Sequence, residues 1–240
     1  MPNKVMVVVG GSRGIGAAVA RLAAERGWTV MLTYTSRADD AATVVRDIEA
    51  AGGKAQALRC DVSSEDDIIA LFSQAAQLGP LRATVYASGI TGTASPLAEV
   101  TAETLRQVID VNLTGAMLCA REAVRGMGTG GGSITFVSSR AADRGSAGEY
   151  VWYAASKGGL NSLCIGLSRE LAAQGIRVNC VSPGPVATEM LSAERQAKGA
   201  AMVPMQRVAE PIEIAEAVLF VASDAASYVT GANLPVAGGA

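Results

Sequence analysis

A tyrosine and a lysine stand four residues apart, as Tyr153 and Lys157, in the stretch GEYVWYAASKGG at residues 148–159. If this stretch is helical, residues four apart share a face, so the phenol and the ammonium point the same way. Tyr150 has Ala154 at the corresponding position and therefore no cation. A phenol has a pKa of about 10, and an ammonium about 4 Å away would lower that pKa towards neutrality. The pair predicts a general acid or base; an interface aromatic beside a solvated lysine is the alternative that the spacing leaves open.

The composition narrows the chemistry that such a pair could serve. The chain has 240 residues, 50% of them hydrophobic, which is enough for one large core and predicts a single domain over residues 1–240. The net charge is −2 and no run of Lys or Arg stands out, so we expect a small-molecule substrate and neither a nucleic acid nor a membrane as partner. There is no histidine and the four cysteines are far apart, so no metal site and no His-based triad is predicted.

The N-terminal segment carries an apolar run of only five residues, Val5–Val9, before two glycines. Such a run is too short for the apolar part of a signal peptide or for a membrane span. We therefore predict a cytoplasmic protein whose cysteines are reduced core residues.

Short apolar runs alternate with longer segments of helical period along the whole chain. This alternation predicts an α/β fold, a single Rossmann-type doubly wound parallel sheet of about seven strands with helices on both faces. The stretch 184–210 is predicted to be irregular and, because it is long for a connection, to act as a lid. The predicted strands are 4–10, 28–34, 55–60, 82–88, 133–139, 176–182 and 232–238; the predicted helices are 14–26, 38–51, 64–77, 101–127, 150–174 and 211–223.

A glycine-rich turn, GGSRGIG at residues 10–16, follows the first predicted strand and opens the first helix. Glycines let the backbone approach a pyrophosphate, and the helix start supplies free N–H groups. The spacing differs from the commonest dinucleotide fingerprint, so a purely structural turn stays open as the alternative. The residues expected to contact a dinucleotide here are Gly10, Ser12, Arg13, Gly14, Ile15 and Gly16.

The end of the second predicted strand, TYTSR at residues 33–37, lacks the acidic residue that usually holds the ribose of NAD. Arg37 stands there instead and Arg13 lies in the glycine turn. Two guanidiniums suit a 2′-phosphate, so we predict NADP(H) as the cofactor; a solvated Arg37 is the alternative. Asp61, at the end of the third strand, could accept from the adenine amino group or cap the next helix.

Several short motifs occur in order along the chain. They are the turn with Gly10, Gly14 and Gly16, then Asp61 with Val62, Asn112 in DVNLTG, Ser138 with Ser139, Tyr153 with Lys157, and SPGPVATEM at 182–190. Together they resemble the short-chain dehydrogenase/reductase family over essentially the whole length. The pattern is most like bacterial 3-oxoacyl-carrier-protein reductases and sugar-dehydrogenase-like members.

The resemblance implies a role for each matching residue. Tyr153 would be the general acid or base, and Lys157 would lower its pKa and hold the nicotinamide ribose. Ser139 would hydrogen-bond the substrate carbonyl, and its neighbour Ser138 would face the other way. Asn112 would hold a water that links Lys157 to solvent. Further cofactor contacts are implied for Val62, Ser88, Gly89, Pro183, Gly184, Val186 and Thr188.

The resemblance also implies an activity and an assembly. We expect an NADP(H)-dependent carbonyl reductase or alcohol dehydrogenase, and a homotetramer built through helices 101–127 and 150–174. A non-catalytic dinucleotide-binding sensor or structural protein with the same fold is the alternative. The apolar residues of the lid predict an apolar substrate face, unless its methionines pack the closed lid on the core; they are Met190, Leu191, Met202, Val203 and Met205.

Three positions depart from the family pattern. Val9 replaces a threonine, Tyr86–Gly89 (YASG) replaces Asn-Asn-Ala-Gly and removes an amide that braces the sheet, and Ala237 replaces an aspartate. None of them belongs to the predicted proton relay.

Overall fold

The structure is a computed structural model that describes residues 4–240. The first three residues of the predicted domain, and of the N-terminal segment considered above, lie outside the described residues. The strands are β1 Val5–Val9, β2 Thr29–Tyr34, β3 Lys54–Arg59, β4 Leu81–Tyr86, β5 Gly132–Val137, β6 Ile176–Pro183 and β7 Asn233–Val236. The α-helices are α1 Gly14–Glu25, α2 Ala38–Ala50, α3 Glu65–Leu78, α4 Ala102–Ile109, α5 Gly115–Met127, α6 Ala141–Arg144, α7 Val151–Leu171, α8 Ala193–Met202 and α9 Pro211–Ala222.

The seven strands form one sheet in the order β3-β2-β1-β4-β5-β6-β7, and every pairing is parallel. The predicted doubly wound α/β fold is confirmed. Strand β1 shows why the sheet is buried on both faces. Val5, Val7 and Val9 pack into the core under α3, α5 and α7, whereas Met6 and Val8 pack into the core under α1, α2 and α9. A strand covered on both sides must be apolar at successive positions, as this one is.

The chain reverses its winding direction between β1 and β4, which are neighbours at the centre of the sheet. In open parallel sheets a crevice forms at this switch point, beyond the carboxyl ends of the strands. Gly10 follows β1 and Ala87 follows β4, so the two connections flank that crevice.

Two predicted elements differ from the structure. The helix predicted over 101–127 is divided into α4 and α5 by a π-helical turn, Asp110–Thr114. The stretch 184–210, predicted to be irregular, contains the ten-residue helix α8. The Ser192 side chain caps α8 by accepting from the Arg195 N–H, and a serine before a run of good helix formers was the available signal. No helix within residues 4–240 is long and apolar enough to cross a membrane.

Candidate active site

A cleft of about 710 Å³ opens at the carboxyl edge of the sheet, at the switch point between β1 and β4. Its volume lies in the range of small-molecule and cofactor sites. The predicted cofactor residues in its lining are Gly10, Ser12, Arg13, Gly14, Ile15, Gly16, Arg37, Asp61, Val62, Ser88, Gly89 and Thr188. The predicted residues outside its lining are Asn112, Ser139, Tyr153, Lys157, Pro183, Gly184 and Val186.

The glycine turn is packed too tightly for side chains. Gly10 has φ +81°, and a Cβ on it would lie 2.7 Å from Ser88 Oγ. A Cβ on Gly16 would lie 2.1 Å from the Gly10 carbonyl oxygen. The Gly10 N–H donates to Thr33 Oγ1 at 2.9 Å, which ties the turn to β2. The turn therefore presents backbone to the cleft at the start of α1, where unpaired N–H groups favour an anion.

The two arginines predicted to bind a 2′-phosphate do converge at the cleft. Arg13 Nη1 and Arg37 Nη2 each lie 3.2 Å from the same oxygen, Glu189 Oε2. Arg37 Nη1 also lies 3.4 Å from Asp40. Glu189 comes from the segment after β6, and nothing in the local sequence indicated this contact.

Asp61 is oriented by its own loop. Its Oδ1 accepts from the Ser63 N–H at 3.0 Å and from Ser63 Oγ at 2.7 Å, and these bonds lower the pKa of the Asp61 carboxyl. The side chain that caps α3 belongs to Ser64, which accepts from the Asp67 N–H. The capping alternative for Asp61 is therefore wrong, while its place in the cleft lining keeps it available to a ligand.

Tyr153 and Lys157 lie one turn apart on α7, as their spacing predicts. The Lys157 Nζ is 5.7 Å from the centre of the Tyr153 ring. Lys157 is buried, and its Nζ donates to the Val137 carbonyl at the end of β5 at 2.8 Å. An ammonium has three donors, so two remain after this bond.

Burial controls the pKa values of both groups. Desolvation lowers the pKa of Lys157 to about 8, with the neighbouring Cys180 acting in the opposite direction. Desolvation also raises the pKa of the Tyr153 phenol above its ordinary value, and interaction with the Ser139 side chain opposes this. The lowered phenol pKa predicted from the spacing is wrong for this structure, because burial outweighs an ammonium that is hydrogen-bonded elsewhere.

The two serines after β5 face opposite sides. Ser138 is buried, and its hydroxyl donates to Asn161 Oδ1 at 2.7 Å and contacts the Lys157 carbonyl at 3.2 Å. Ser139 is partly exposed, accepts from the Ala141 N–H at 3.0 Å and lies beside the Tyr153 phenol. Of the pair, only Ser139 is placed where it could contact a substrate.

Asn112 sits in the π turn and ties three parts of the site together. Its Oδ1 accepts from the Ile90 N–H at 2.8 Å, and its Nδ2 donates to the Ile90 carbonyl and to Ser156 Oγ, both at 2.9 Å. A Cβ on Gly89 would lie 3.4 Å from Asn112 Oδ1 and 3.3 Å from Lys157 Nζ. Gly89 lines the cleft, so the cleft ends against the lysine and the asparagine.

The segment after β6 places its predicted residues differently. Thr188 faces the glycine turn, since a Cβ on Gly14 would lie 3.2 Å from Thr188 Cγ2. The Gly184 N–H donates to the Val236 carbonyl at 3.0 Å, and Val186 is buried and pairs with Ala209 in an isolated bridge. In this structure Gly184 holds the segment to β7, and Val186 holds it to the stretch before α9.

Comparison with known proteins shows the family to which this chain belongs. The family model described as enoyl-(acyl carrier protein) reductase matches residues 9–240. The uncharacterized oxidoreductase YgfF of Escherichia coli K12 is 46% identical over 244 residues, covering 98% of this chain and 99% of that protein. The chain belongs to the short-chain dehydrogenase/reductase family. It is therefore an oxidoreductase of that family.

Two further proteins are similar to this chain over nearly their whole length. Cis-4-hydroxycyclohexanecarboxylate dehydrogenase of Sinomonas cyclohexanicum is 43% identical over 243 residues, covering 99% of this chain and 96% of that protein. The crystal structure of a blue fluorescent protein from a metagenomic library, in complex with NADPH, superposes with a TM-score of 0.93. It is 37% identical and covers 98% of this chain and 97% of that one.

The YASG segment of this short-chain dehydrogenase/reductase begins with a tyrosine that reaches the π turn. Tyr86 is fully buried at the end of β4, and its hydroxyl donates to the Val111 carbonyl in the π turn. A Cβ on Gly115 would lie 2.8 Å from that hydroxyl, so the start of α5 must be a glycine to admit the phenol. A tyrosine brace thus stands where the family pattern has an amide. The last departure, Ala237, packs against Gly184.

Tyr150 is hydrogen-bonded to the helix of the lid. Arg195 of α8 donates to its hydroxyl at 2.6 Å, and the guanidinium carbon lies 4.8 Å from the ring centre. Arg195 also pairs with Glu149 at 3.1 Å. These contacts connect the lid helix α8 to the start of α7.

Within the described residues no group of three or more His, Cys, Asp or Glu side chains is placed to hold a metal ion.

Proposed function

We propose that this protein is an NADP(H)-dependent oxidoreductase that interconverts a carbonyl compound and a secondary alcohol, with Tyr153 as the general acid and base. The observation that carries the proposal is the buried Lys157, held one turn from Tyr153 and directly behind Gly89 of the cleft lining. Burying a cation costs free energy, and the Val137 carbonyl offsets only part of that cost. A protein that merely bound a dinucleotide could use the lysine for the ribose but would have no need of a phenol beside it.

The described residues fit a phosphorylated dinucleotide. The turn at Gly10 and Gly16 leaves no room for side chains where backbone would meet a pyrophosphate. Arg13 and Arg37 supply two guanidiniums for a 2′-phosphate. The similar NADPH-bound structure supports the same cofactor for this chain. When bound, NADP(H) supplies or accepts the hydride.

The chain's own residues would handle the proton. Because burial raises the pKa of Tyr153, its phenol is protonated at neutral pH and can donate to the oxygen of a carbonyl that is being reduced. Ser139 donates a hydrogen bond to the same oxygen. The ammonium of Lys157 stabilises the phenolate that results, and its two remaining donors are available to ribose hydroxyls. Oδ1 of Asn112 keeps one lone pair for a water that returns the proton.

We expect Arg37→Ala to weaken NADPH binding by about 1.5 kcal/mol, or about tenfold, and to leave NADH binding nearly unchanged. The reason is that only NADPH carries the phosphate that this guanidinium would meet. Titration calorimetry with both cofactors measures the effect. Arg46→Ala is the matched control, since Arg46 is an exposed arginine of α2 that contacts Thr43. Equal losses for both cofactors would refute the assignment of Arg37.

The exposed methionines of the lid favour an apolar substrate for this enzyme. Met190, Met202 and Met205 are exposed, so these three methionines do not pack the lid onto the core. Flexible thioethers suit substrates of varied shape. A panel of ketones and aldehydes, followed at the NADPH absorbance, tests the activity. Tight NADPH binding with no turnover on any member would favour a sensor instead.

The protein is a single domain over residues 1–240 with a lid at about 184–210, located in the cytoplasm and assembled as a homotetramer. Its four cysteines are buried and unpaired, which is typical of a reducing compartment. Met117 of α5 and Ile165 of α7 are large apolar side chains exposed on the two helices predicted to form the interface.

We expect sedimentation at micromolar concentration to give four times the chain mass. Ile165→Glu should lower that mass, because a carboxylate would be buried at an apolar contact. Ile69→Glu is the control, since Ile69 is equally apolar and exposed but lies on α3. A monomeric unmodified protein would rule the assembly out.

A further inference from the structure

An anionic side chain of this protein occupies the position between the two arginines of the cleft. A single oxygen, Glu189 Oε2, lies 3.2 Å from both Arg13 Nη1 and Arg37 Nη2. The three residues come from the glycine turn, the connection between β2 and α2, and the segment after β6. Two guanidiniums around one anionic oxygen is the arrangement by which proteins hold phosphate groups.

We propose that Glu189 is a built-in competitor for the 2′-phosphate of NADP(H), and that it thereby sets how strongly this enzyme prefers NADP(H) over NAD(H). The inference rests on the proposed function, because it takes Arg13 and Arg37 to be the phosphate site. It adds a residue, Glu189, that competes with the phosphate for the two arginines.

Charge makes the two occupants exclusive. A phosphate monoester carries a charge of about −1.5 to −2 at neutral pH, so it cannot share the guanidiniums with a carboxylate at close range. NAD(H) has a hydroxyl at this position, which brings no added charge. Glu189 can therefore keep its ion pairs with both arginines when NAD(H) binds. It must give up these ion pairs when NADP(H) binds.

Exposure makes the carboxylate displaceable. The side chains of Arg13, Arg37 and Glu189 are 54%, 49% and 59% exposed. Ion pairs at such exposure are weak, each worth a factor of about 1.4 to 5 in an equilibrium constant. Glu189 should therefore reduce the affinity for a 2′-phosphate several-fold without abolishing it. The displaced segment includes Thr188, which faces Gly14 of the glycine turn.

The experiment compares 2′,5′-ADP with 5′-AMP by titration calorimetry of the full chain, so no turnover is needed. We expect Glu189→Gln to bind 2′,5′-ADP about three- to tenfold more tightly than the unmodified protein does, with 5′-AMP affinity unchanged within about twofold. The amide keeps the size of the side chain and removes its charge. Glu194→Gln is the matched control, because Glu194 is an exposed carboxylate after the same strand that pairs with Lys198 instead.

The outcomes separate this inference from the proposed cofactor. If the unmodified protein prefers 2′,5′-ADP and Glu189→Gln leaves or weakens that preference, the competitor role is overturned and Glu189 instead organises the arginines. If neither protein distinguishes the two nucleotides, the proposed phosphate site fails and the inference fails with it. If only Glu189→Gln prefers 2′,5′-ADP, the competitor role is supported and the NADP(H) preference of the unmodified protein is refuted.

Discussion

Tyr153→Phe is expected to bind NADPH as the unmodified protein does while its turnover falls by about 10²- to 10⁴-fold, the range for loss of a general acid. The substitution removes one hydroxyl from a ring that is otherwise held by α7, so the cleft and its glycine turn should not change. The kinetic signature is a loss in kcat and in kcat/KM by similar factors, because the proton is needed only in the transition state. The measurement is single-substrate kinetics beside NADPH titration.

Tyr150→Phe is the control for this experiment. Its hydroxyl accepts from Arg195 of the lid helix, so its loss should loosen the lid and act mainly on KM. Near-normal turnover in Tyr153→Phe, on a substrate that the unmodified protein reduces well, would remove Tyr153 from the mechanism. A crippling effect of Tyr150→Phe on kcat would transfer the role to Tyr150.

Lys157→Met is expected to impair both turnover and NADPH binding, and to change how stability depends on pH. The side chain keeps its length but loses the ammonium that would face the phenolate and the ribose. Burial holds the pKa of Lys157 at about 8, against 10.5 for a free lysine. Between these values the unfolded chain binds more protons than the folded one, so the unmodified protein gains stability as pH rises.

The variant lacks this titration. Between pH 8 and pH 10.5 the free energy of unfolding of the unmodified protein should therefore rise by up to about 3 kcal/mol relative to that of Lys157→Met. Denaturant unfolding across that pH range measures the difference. Below pH 8 the difference between the two proteins should be flat. Lys198→Met is the control, because Lys198 is an exposed lysine whose pKa is raised by Glu194 and which offers no such gain. A difference that does not vary between pH 8 and 10.5 would show that Lys157 is not a buried cation.

Patterns confined to one element predicted the structure well, because their cause is local. Five successive apolar residues, Val5–Val9, can be buried only where a strand is covered on both faces, and that is where they lie. The four-residue spacing correctly predicted that Tyr153 and Lys157 lie on one side of α7, because the helical repeat alone determines this. Glycines at 10, 14 and 16 marked a turn that the structure packs closely, Gly16 against the Gly10 backbone and Gly14 against the Thr188 side chain.

Contacts between distant elements could not be predicted in this way. Glu189 meets Arg13 across 176 positions of the chain, and only the completed sheet brings the two together. The pKa of Tyr153 was predicted with the wrong sign because the burial of the ring depends on tertiary packing. The π turn was also missed, since DVNLT contains no residue that forbids an ordinary α-helix.

The π turn at 110–114 gives the site a sensitivity to chain length as well as to residue type. One additional residue in the helical ladder rotates everything on one side of it by about 100° relative to the other side. Deleting a single residue such as Val111 would let α4 and α5 merge into one regular helix, so helicity measured by circular dichroism should be kept. The same deletion would turn Asn112 away from Ile90 and Ser156, which it now joins. In this region a one-residue deletion is therefore more damaging to catalysis than most substitutions, even though it makes the helix more regular.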